Sequence, residues 1–183
     1  AGIYGDFTNV TITGSRIGNN TAADTGGGVW NGGSGVVNIS QSLLDQNAAP
    51  NGGGGVYNTG NSVTVTGSTF TLNQSPNLSG GGLWNGFSST ANVFTSSFTQ
   101  NSAKNGGGIG NGGTLSMANS TLWANAAVRN GAGIYHVGRQ ATGVNATVYG
   151  NTIPGTAGVG GGIYATGPFN AYNCTIAANR ADG

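Results

Sequence analysis

The residues that could do acid–base or nucleophilic chemistry are few in this chain. Its 183 residues include one histidine, one cysteine, no glutamate and only four aspartates, Asp6, Asp24, Asp45 and Asp182. Glycoside hydrolysis commonly needs two carboxyl groups about 5 to 10 Å apart. Asp24 and Asp45 stand at different positions of the repeat described below, and neither has a second acid at the matching position of a neighbouring repeat. We therefore expect a non-enzymatic protein with no catalytic residue, metal site or cofactor.

His136 and Cys174 also lack the partners that would make them reactive. Arg129 and Arg139 flank His136, but no acid accompanies them. Because His136 stands where four other repeats carry asparagine, we interpret it as a substitution in an exposed polar column. Cys174 stands where most repeats carry serine, which favours a small buried residue. A single cysteine also excludes an internal disulfide framework and a multi-cysteine zinc site.

The charge composition narrows the possible partners. The five cations are scattered, whereas nucleic-acid binding needs clustered lysine and arginine. No apolar run approaches the roughly 18 residues that span a bilayer. We therefore expect neither nucleic-acid binding nor membrane insertion.

An internal repeat organises the whole chain. Its clearest mark is an asparagine that recurs at spacings of 27, 26, 28, 24, 26 and 28 residues, at Asn20, Asn47, Asn73, Asn101, Asn125, Asn151 and Asn179. An apolar residue stands three positions before each of these asparagines and a small residue five before, as in "VTGSTFTLN" at 65–73. A glycine run and an aliphatic residue follow all but the last, as in "GGGVY" at 53–57.

This repeat predicts an all-β fold, a single-stranded parallel β-helix of about seven coils of about 26 residues that forms one domain over 1–183. One such repeat cannot bury its own apolar face, but stacked repeats can. Equivalent strands would pair at about 4.8 Å, so that like residues stack in columns. The seven asparagines, called here the Asn20 ladder, would hydrogen-bond along the axis. The glycine runs mark sharp turns or close backbone approaches.

A column of aromatic residues follows the aliphatic position. If the aliphatic side chain points inward, strand alternation puts the next side chain outward. Rings that stack on each other for stability and rings that form a contact strip for glycans or neighbouring filaments both fit the pattern. This aromatic column consists of Tyr4, Trp30, Tyr57, Trp84, Tyr135 and Tyr164, with a gap at Gly110.

The paired motifs resemble those of a known family. "FTLN" (70–73) and "FTQN" (98–101), followed by "GGGL" and "GGGI", resemble the FxxN and GGAI repeats of polymorphic outer membrane proteins. More broadly they are similar to the parallel β-helix domains of bacterial surface proteins. The resemblance implies a right-handed helix, a secreted or cell-surface location, and a role in adhesion or surface display.

The two ends of the sequence match each other. The chain opens with "AGIYG" and closes with "ANRADG". When the closing segment is placed before the opening one, the result resembles the internal "NAAVRNGAGIYHVG" of 125–138. The solenoid would thus start and end in mid-coil. An excerpt from a longer solenoid and a subunit that binds itself head-to-tail explain this equally well. In the second case the end-to-end joint would comprise Ala1, Gly2, Ile3, Tyr4, Arg180, Ala181, Asp182 and Gly183.

The expected function is therefore that of an extracellular structural protein, the subunit of a surface filament or adhesin stalk. A carbohydrate-binding or polysaccharide-processing β-helix is the alternative. Ice binding is a lesser one, because the pairs Thr11/Thr13 and Thr64/Thr66 are not repeated in other coils. Three sequons share one column, which makes them candidates for glycosylation at Asn119, Asn145 and Asn173.

Overall fold

The computed structural model describes residues 1–155 and 157–182. In these residues the chain forms twenty-six strands, numbered β1 to β26 in chain order, and no helix. All strand pairs are parallel, and each strand pairs with its equivalent one turn away, in four sheets called A to D. The predicted all-β parallel solenoid of about seven coils is confirmed.

The last five coils run through sheets A, B, C and D in that order, and the first two have strands in sheets A, B and C only. Sheet A contains β1 (Ile3–Asp6), β4 (Val29–Gly32), β7 (Val56–Asn58), β11 (Leu83–Asn85), β15 (Ile109–Asn111), β19 (Ile134–His136) and β23 (Ile163–Ala165). Sheet B contains β2 (Asn9–Thr13), β5 (Val36–Ser40), β8 (Ser62–Thr66), β12 (Thr90–Phe94), β16 (Thr114–Ala118), β20 (Gln140–Val144) and β24 (Phe169–Tyr172).

Sheets C and D complete the cross-section. Sheet C contains β3 (Arg16–Gly18), β6 (Leu43–Asp45), β9 (Thr69–Thr71), β13 (Ser97–Thr99), β17 (Thr121–Trp123), β21 (Thr147–Tyr149) and β25 (Thr175–Ala177). Sheet D contains β10 (Gln74–Ser79), β14 (Ser102–Asn105), β18 (Ala126–Asn130), β22 (Thr152–Ile153) and β26 (Arg180–Ala181). We number the coils by their strand in sheet A, so that coil 1 starts with β1 and coil 7 with β23.

The core is a set of stacked apolar columns inside sheets A, B and C. In sheet B, Val63 and Val65 are fully buried and Thr66 is exposed, as strand alternation requires. In sheet C the rings of Phe70 and Phe98 stack in successive coils with their centroids 4.5 Å apart. Equivalent residues therefore bury one another from coil to coil. The predicted apolar column, which contains the phenylalanine of each "FTLN" or "FTQN" motif, lies in the core.

Left-handed backbone conformations turn the chain at two corners of every coil. One such position lies at the corner between sheets B and C, directly before the small residue of each repeat. Thr95 (φ 49°), which precedes Ser96, is an example. The residue before each asparagine of the Asn20 ladder, such as Leu72 (φ 57°), is the other. Non-glycine residues occupy this region only at a cost of about 1 to 3 kcal/mol. The residue after each of these positions turns inward, and its hydrogen bonds to the next coil offset this cost.

Sheet D lies close against the glycine runs. A Cβ atom at Gly81 would be 2.5 Å from the carbonyl oxygens of both Ser102 and Gly107, closer than real Cβ contacts allow. Sheet D contributes small inward side chains, such as Ala103 and Ala127. The glycine runs are therefore needed for a close approach between two backbone layers.

Candidate functional site

The Asn20 ladder runs through all seven coils on the inside of the corner after sheet C. Asn47 donates from its backbone nitrogen and from Nδ2 to Oδ1 of Asn73, both at 3.0 Å. The same pair of bonds, at 2.8 to 3.1 Å, joins every other neighbouring pair in the ladder. The five inner asparagines are fully buried. Each also donates to a backbone carbonyl of the preceding coil, as Asn73 does to Leu44 at 2.9 Å.

A second polar column, which we call the hydroxyl column, lies at the corner between sheets B and C. Its members are Ser15, Ser42, Ser68, Ser96 and Ser120, followed by Ala146 and Cys174. The backbone nitrogen of each serine in the first four coils donates to Oγ of the serine in the next coil at 3.1 Å. Cys174 is partly buried, and its Sγ lies 3.4 Å from the carbonyl oxygen of Tyr172.

His136 belongs to a third polar column, and our interpretation of that column as exposed was wrong. Asn31, Asn58, Asn85, Asn111 and His136 are all fully buried and hydrogen-bond along the axis at 2.7 to 2.9 Å. We call them the Asn31 ladder. The alternation that turns Trp30 outward also turns Asn31 inward, so the sequence contained the signal for this ladder.

The protonation state of His136 follows from its contacts. Asn111 Nδ2 donates to His136 Nδ1 at 2.9 Å, so Nδ1 is an acceptor. The proton is then on Nε2, which donates to the Pro168 carbonyl oxygen at 3.2 Å. Burial lowers the pKa of His136 from its usual value of 6.5, and this effect outweighs the backbone carbonyl groups of Pro168 and Asn111, which act in the opposite sense. His136 is therefore a neutral structural residue that ends the Asn31 ladder.

The predicted joint residues lie at opposite ends of the rod. Ala1 to Tyr4 are at the edge of sheet A in coil 1, where Gly2 N donates to the Gly27 carbonyl oxygen at 2.9 Å. Arg180 and Ala181 form β26 at the edge of sheet D in coil 7, and Arg180 forms an ion pair with Asp182. Gly183 lies outside the described residues. Within one molecule the structure does not bring the two groups together.

The end coils leave core residues partly uncovered. Ile3, Val10 and Ile17 of coil 1 are partly buried, whereas their equivalents in inner coils are fully buried. In coil 7, Ile163 and Phe169 are partly exposed and Ile176 is 50% exposed. Each end thus presents the same three apolar columns with one face open.

The aromatic column is only in part an exposed strip. Tyr4 (66% exposed) stacks on Trp30 with ring centroids 4.4 Å apart, and Tyr135 stacks on Tyr164 at 5.5 Å. Trp84, however, is 8% exposed. Its ring lies over Gly110 of the next coil, where a Cβ would be 2.7 Å from the ring. At Trp84 the structure therefore favours packing for stability over an exposed contact strip.

Tyr57 is partly buried, as are Trp30, Tyr135 and Tyr164 in the same column. Burial, and secondarily the carboxylate of Asp24, raise the pKa of its phenol above 10.0. The phenol of Tyr57 is therefore protonated at neutral pH and available to donate a hydrogen bond.

The aspartates are dispersed and mostly bound to other polar groups. Asp45 pairs with Arg16 at 2.5 Å, and Asp24 accepts from Asn51 Nδ2 at 2.8 Å. Asp6 is exposed at the end of β1. Among residues 1–155 and 157–182 there is no pocket and no group of three or more side chains that could hold a metal ion.

The candidate glycosylation sites all lie at one corner. Asn119, Asn145 and Asn173 are exposed and have φ values of 51° to 52°. Asparagine tolerates this left-handed region better than most residues. The turn therefore accounts for asparagine at these positions, and their exposure leaves the side-chain nitrogens accessible.

A pair of exposed aromatic residues on sheet C was not predicted. Trp123 and Tyr149 are neighbours in adjacent strands, and each is 46% exposed. They follow the core positions Leu122 and Val148, so strand alternation could have found them.

Comparisons of the chain with protein-family models, with curated proteins and with solved structures find no match. The part of the chain that the structure describes contains no helix with the length and hydropathy to cross a membrane.

Proposed function

We propose that this chain is a non-enzymatic structural protein whose solenoid stacks end on end in an extracellular filament or adhesin stalk. The observation that carries the proposal is the in-register stacking of equivalent strands along the rod, which makes each coil complementary to another coil of the same kind. Coil 1 has an outer strand in three sheets and coil 7 has one in four, and each of these strands is paired on one side only. Open strand edges are templates for pairing with another chain. A contact between unlike ends that does not close on itself produces a filament.

The extracellular setting depends on the resemblance to repeats of bacterial surface proteins. A structural role is supported by the dispersed aspartates, since none lies beside a second acid in the described residues. It is also supported by three internal columns of hydrogen bonds that run along the rod axis. Such columns resist the separation of one coil from the next, which suits a load-bearing rod.

Electron microscopy of the protein as isolated tests the proposal. Filaments should show an axial repeat of about 34 Å, the height of seven coils at about 4.8 Å. The variant I176K places a charge in an uncovered core column of coil 7 and should leave short rods. T175K is the matched control, because Thr175 is the exposed neighbour in the same strand. Wild-type protein that stays as single rods at high concentration would contradict end-on-end stacking.

Carbohydrate binding is the second candidate, supported by the exposed aromatic rings of Trp123 and Tyr149. Flat rings on a nearly uncharged surface suit stacking against sugars. Binding to a panel of polysaccharides should be lost in the double variant W123A/Y149A. The matched control is T121A/T147A, which changes two other outward residues in the same strands.

A further inference from the structure

The sequence contains six asparagine–glycine pairs, a dipeptide that can react with itself. The backbone nitrogen of the glycine attacks Cγ of the asparagine side chain, because a residue without a Cβ leaves the approach open and the two groups are held in one chain. The new C–N bond closes a succinimide ring, and the side-chain nitrogen leaves as ammonia with the proton of the attacking N–H. Water then opens the ring to aspartate or isoaspartate. The asparagines of these pairs are Asn31, Asn51, Asn85, Asn105, Asn111 and Asn130.

Three of the pairs are held in place by the Asn31 ladder. Asn31, Asn85 and Asn111 are fully buried, and Nδ2 of each donates to the ladder residue of the next coil at 2.7 to 2.9 Å. The glycine after Asn111 is held as well, because Gly112 N donates to the Asn85 carbonyl oxygen at 2.7 Å. The ladder thus keeps the side-chain amide away from the backbone nitrogen that would attack it.

Two further pairs stand at the start of glycine runs in inner coils. Asn105 and Asn130 are partly buried. Gly106 N donates to the Asn130 carbonyl oxygen at 3.0 Å, and Gly131 N donates to the Val159 carbonyl oxygen at 3.1 Å. Attack by either nitrogen therefore requires that a hydrogen bond between two coils opens first, and such local opening costs free energy.

The pair Asn51–Gly52 lies outside these protective bonds. Asn51 is exposed, whereas the other five asparagines are buried or partly buried. The bonds of this glycine run begin one residue later, where Gly53 N donates to the Ser79 carbonyl oxygen at 3.2 Å. Gly52 N has no acceptor among the described residues. The side chain of Asn51 is restrained by one exposed hydrogen bond, from Nδ2 to Oδ1 of Asp24 at 2.8 Å.

We infer that Asn51 is a modification site, at which the folded protein deamidates spontaneously ahead of every other asparagine–glycine pair. Gly52 is buried beside the ring of Tyr57. Its nitrogen reacts within the chain, however, so that only the exposed side chain of Asn51 has to turn toward it. Water is the one co-reactant, and it reaches the ring from the exposed side. The inference is independent of the proposed function.

Deamidation changes the charge of this turn. In the aspartate product a carboxylate takes the place of the Nδ2 donor, so two carboxylates face each other where Asn51 and Asp24 shared a hydrogen bond. Two such charges repel each other. The formal net charge of the chain falls by one, from +1 to 0. Ion exchange therefore separates the modified protein from the intact one.

Incubation of the wild-type protein in mildly alkaline buffer tests the inference, because the attacking nitrogen must lose its proton. Samples are digested at intervals, and mass spectrometry identifies the peptides in which an amide has become an acid. The peptide with Asn51 should deamidate at least about tenfold faster than those with Asn105 and Asn130, the factor that one hydrogen bond between coils implies. In denaturant, where these bonds are absent, the six pairs should react at similar rates.

The variants N51S and N105S form a matched pair, since each removes one asparagine–glycine pair outside the Asn31 ladder. N51S should abolish the early appearance of the more acidic species in ion exchange, and N105S should leave it unchanged. Three results would overturn the inference: earlier deamidation at another asparagine, equal rates at Asn51 and Asn105 in the folded protein, or an intact Asn51 under conditions in which the denatured chain reacts.

Discussion

At the residue scale, the ionisable side chain of His136 is fully buried in its neutral form at the end of the Asn31 ladder. Its Nδ1 must accept from Asn111, so protonation would place two donors face to face. Its folded pKa is lowered, and that of the unfolded chain is about 6.5. As the pH falls below about 6.5, the unfolded chain binds a proton that the folded chain does not. The free energy of unfolding therefore decreases with falling pH, by up to about 1.4 kcal/mol per pH unit.

We predict that this loss of stability between about pH 7 and pH 5 is absent in H136N. Asparagine is the residue of this column in four other coils and does not titrate. Denaturant unfolding followed at several pH values measures the difference. A wild-type stability that is flat across this range would show that the proton is accommodated in the folded ladder.

At the element scale, sheet D and the glycine runs form two backbone layers in close contact. We predict that G81A lowers the free energy of unfolding by about 2 to 3 kcal/mol, because the added methyl group meets two carbonyl oxygens at 2.5 Å. G143A is the control, since a Cβ there meets its nearest atom at 3.5 Å. That variant should be unchanged or stabilised by up to about 1 kcal/mol. Equal effects of the two substitutions in chemical denaturation would refute this view of the contact.

At the scale of the whole molecule, each coil contacts only the coils beside it. The end coils have one neighbour and the inner coils have two, so local opening should cost less at the ends. We predict that amides of coils 1 and 7 exchange with deuterium about tenfold faster than those of coil 4 in dilute solution. Stacking would slow the exchange of the end coils selectively as the protein concentration rises. Uniform exchange at all concentrations would instead indicate one cooperative unit and no association.

The sequence by itself determined the architecture and the Asn20 ladder. Its signals are local and periodic: an apolar residue at a constant offset, such as Phe70, and an asparagine three positions later at Asn73. Parallel stacking turns such a period into a column, and an asparagine in every coil has its partner at a distance that the stacking sets. Within one strand, successive side chains alternate between the two faces of the sheet, so the sequence also predicts which side chains point inward.

Tertiary structure decided how deeply individual residues such as Trp84 and His136 are buried. Trp84 is covered because the next coil has Gly110, and the space that this glycine leaves exists only after the coils stack. His136 can be fully buried because the Pro168 carbonyl oxygen, in the following coil, accepts a hydrogen bond from its Nε2. The closeness of sheet D to Gly81 likewise depends on the path of the chain around a whole coil. Burial is a property of neighbours distant in sequence, and a single repeat does not contain them.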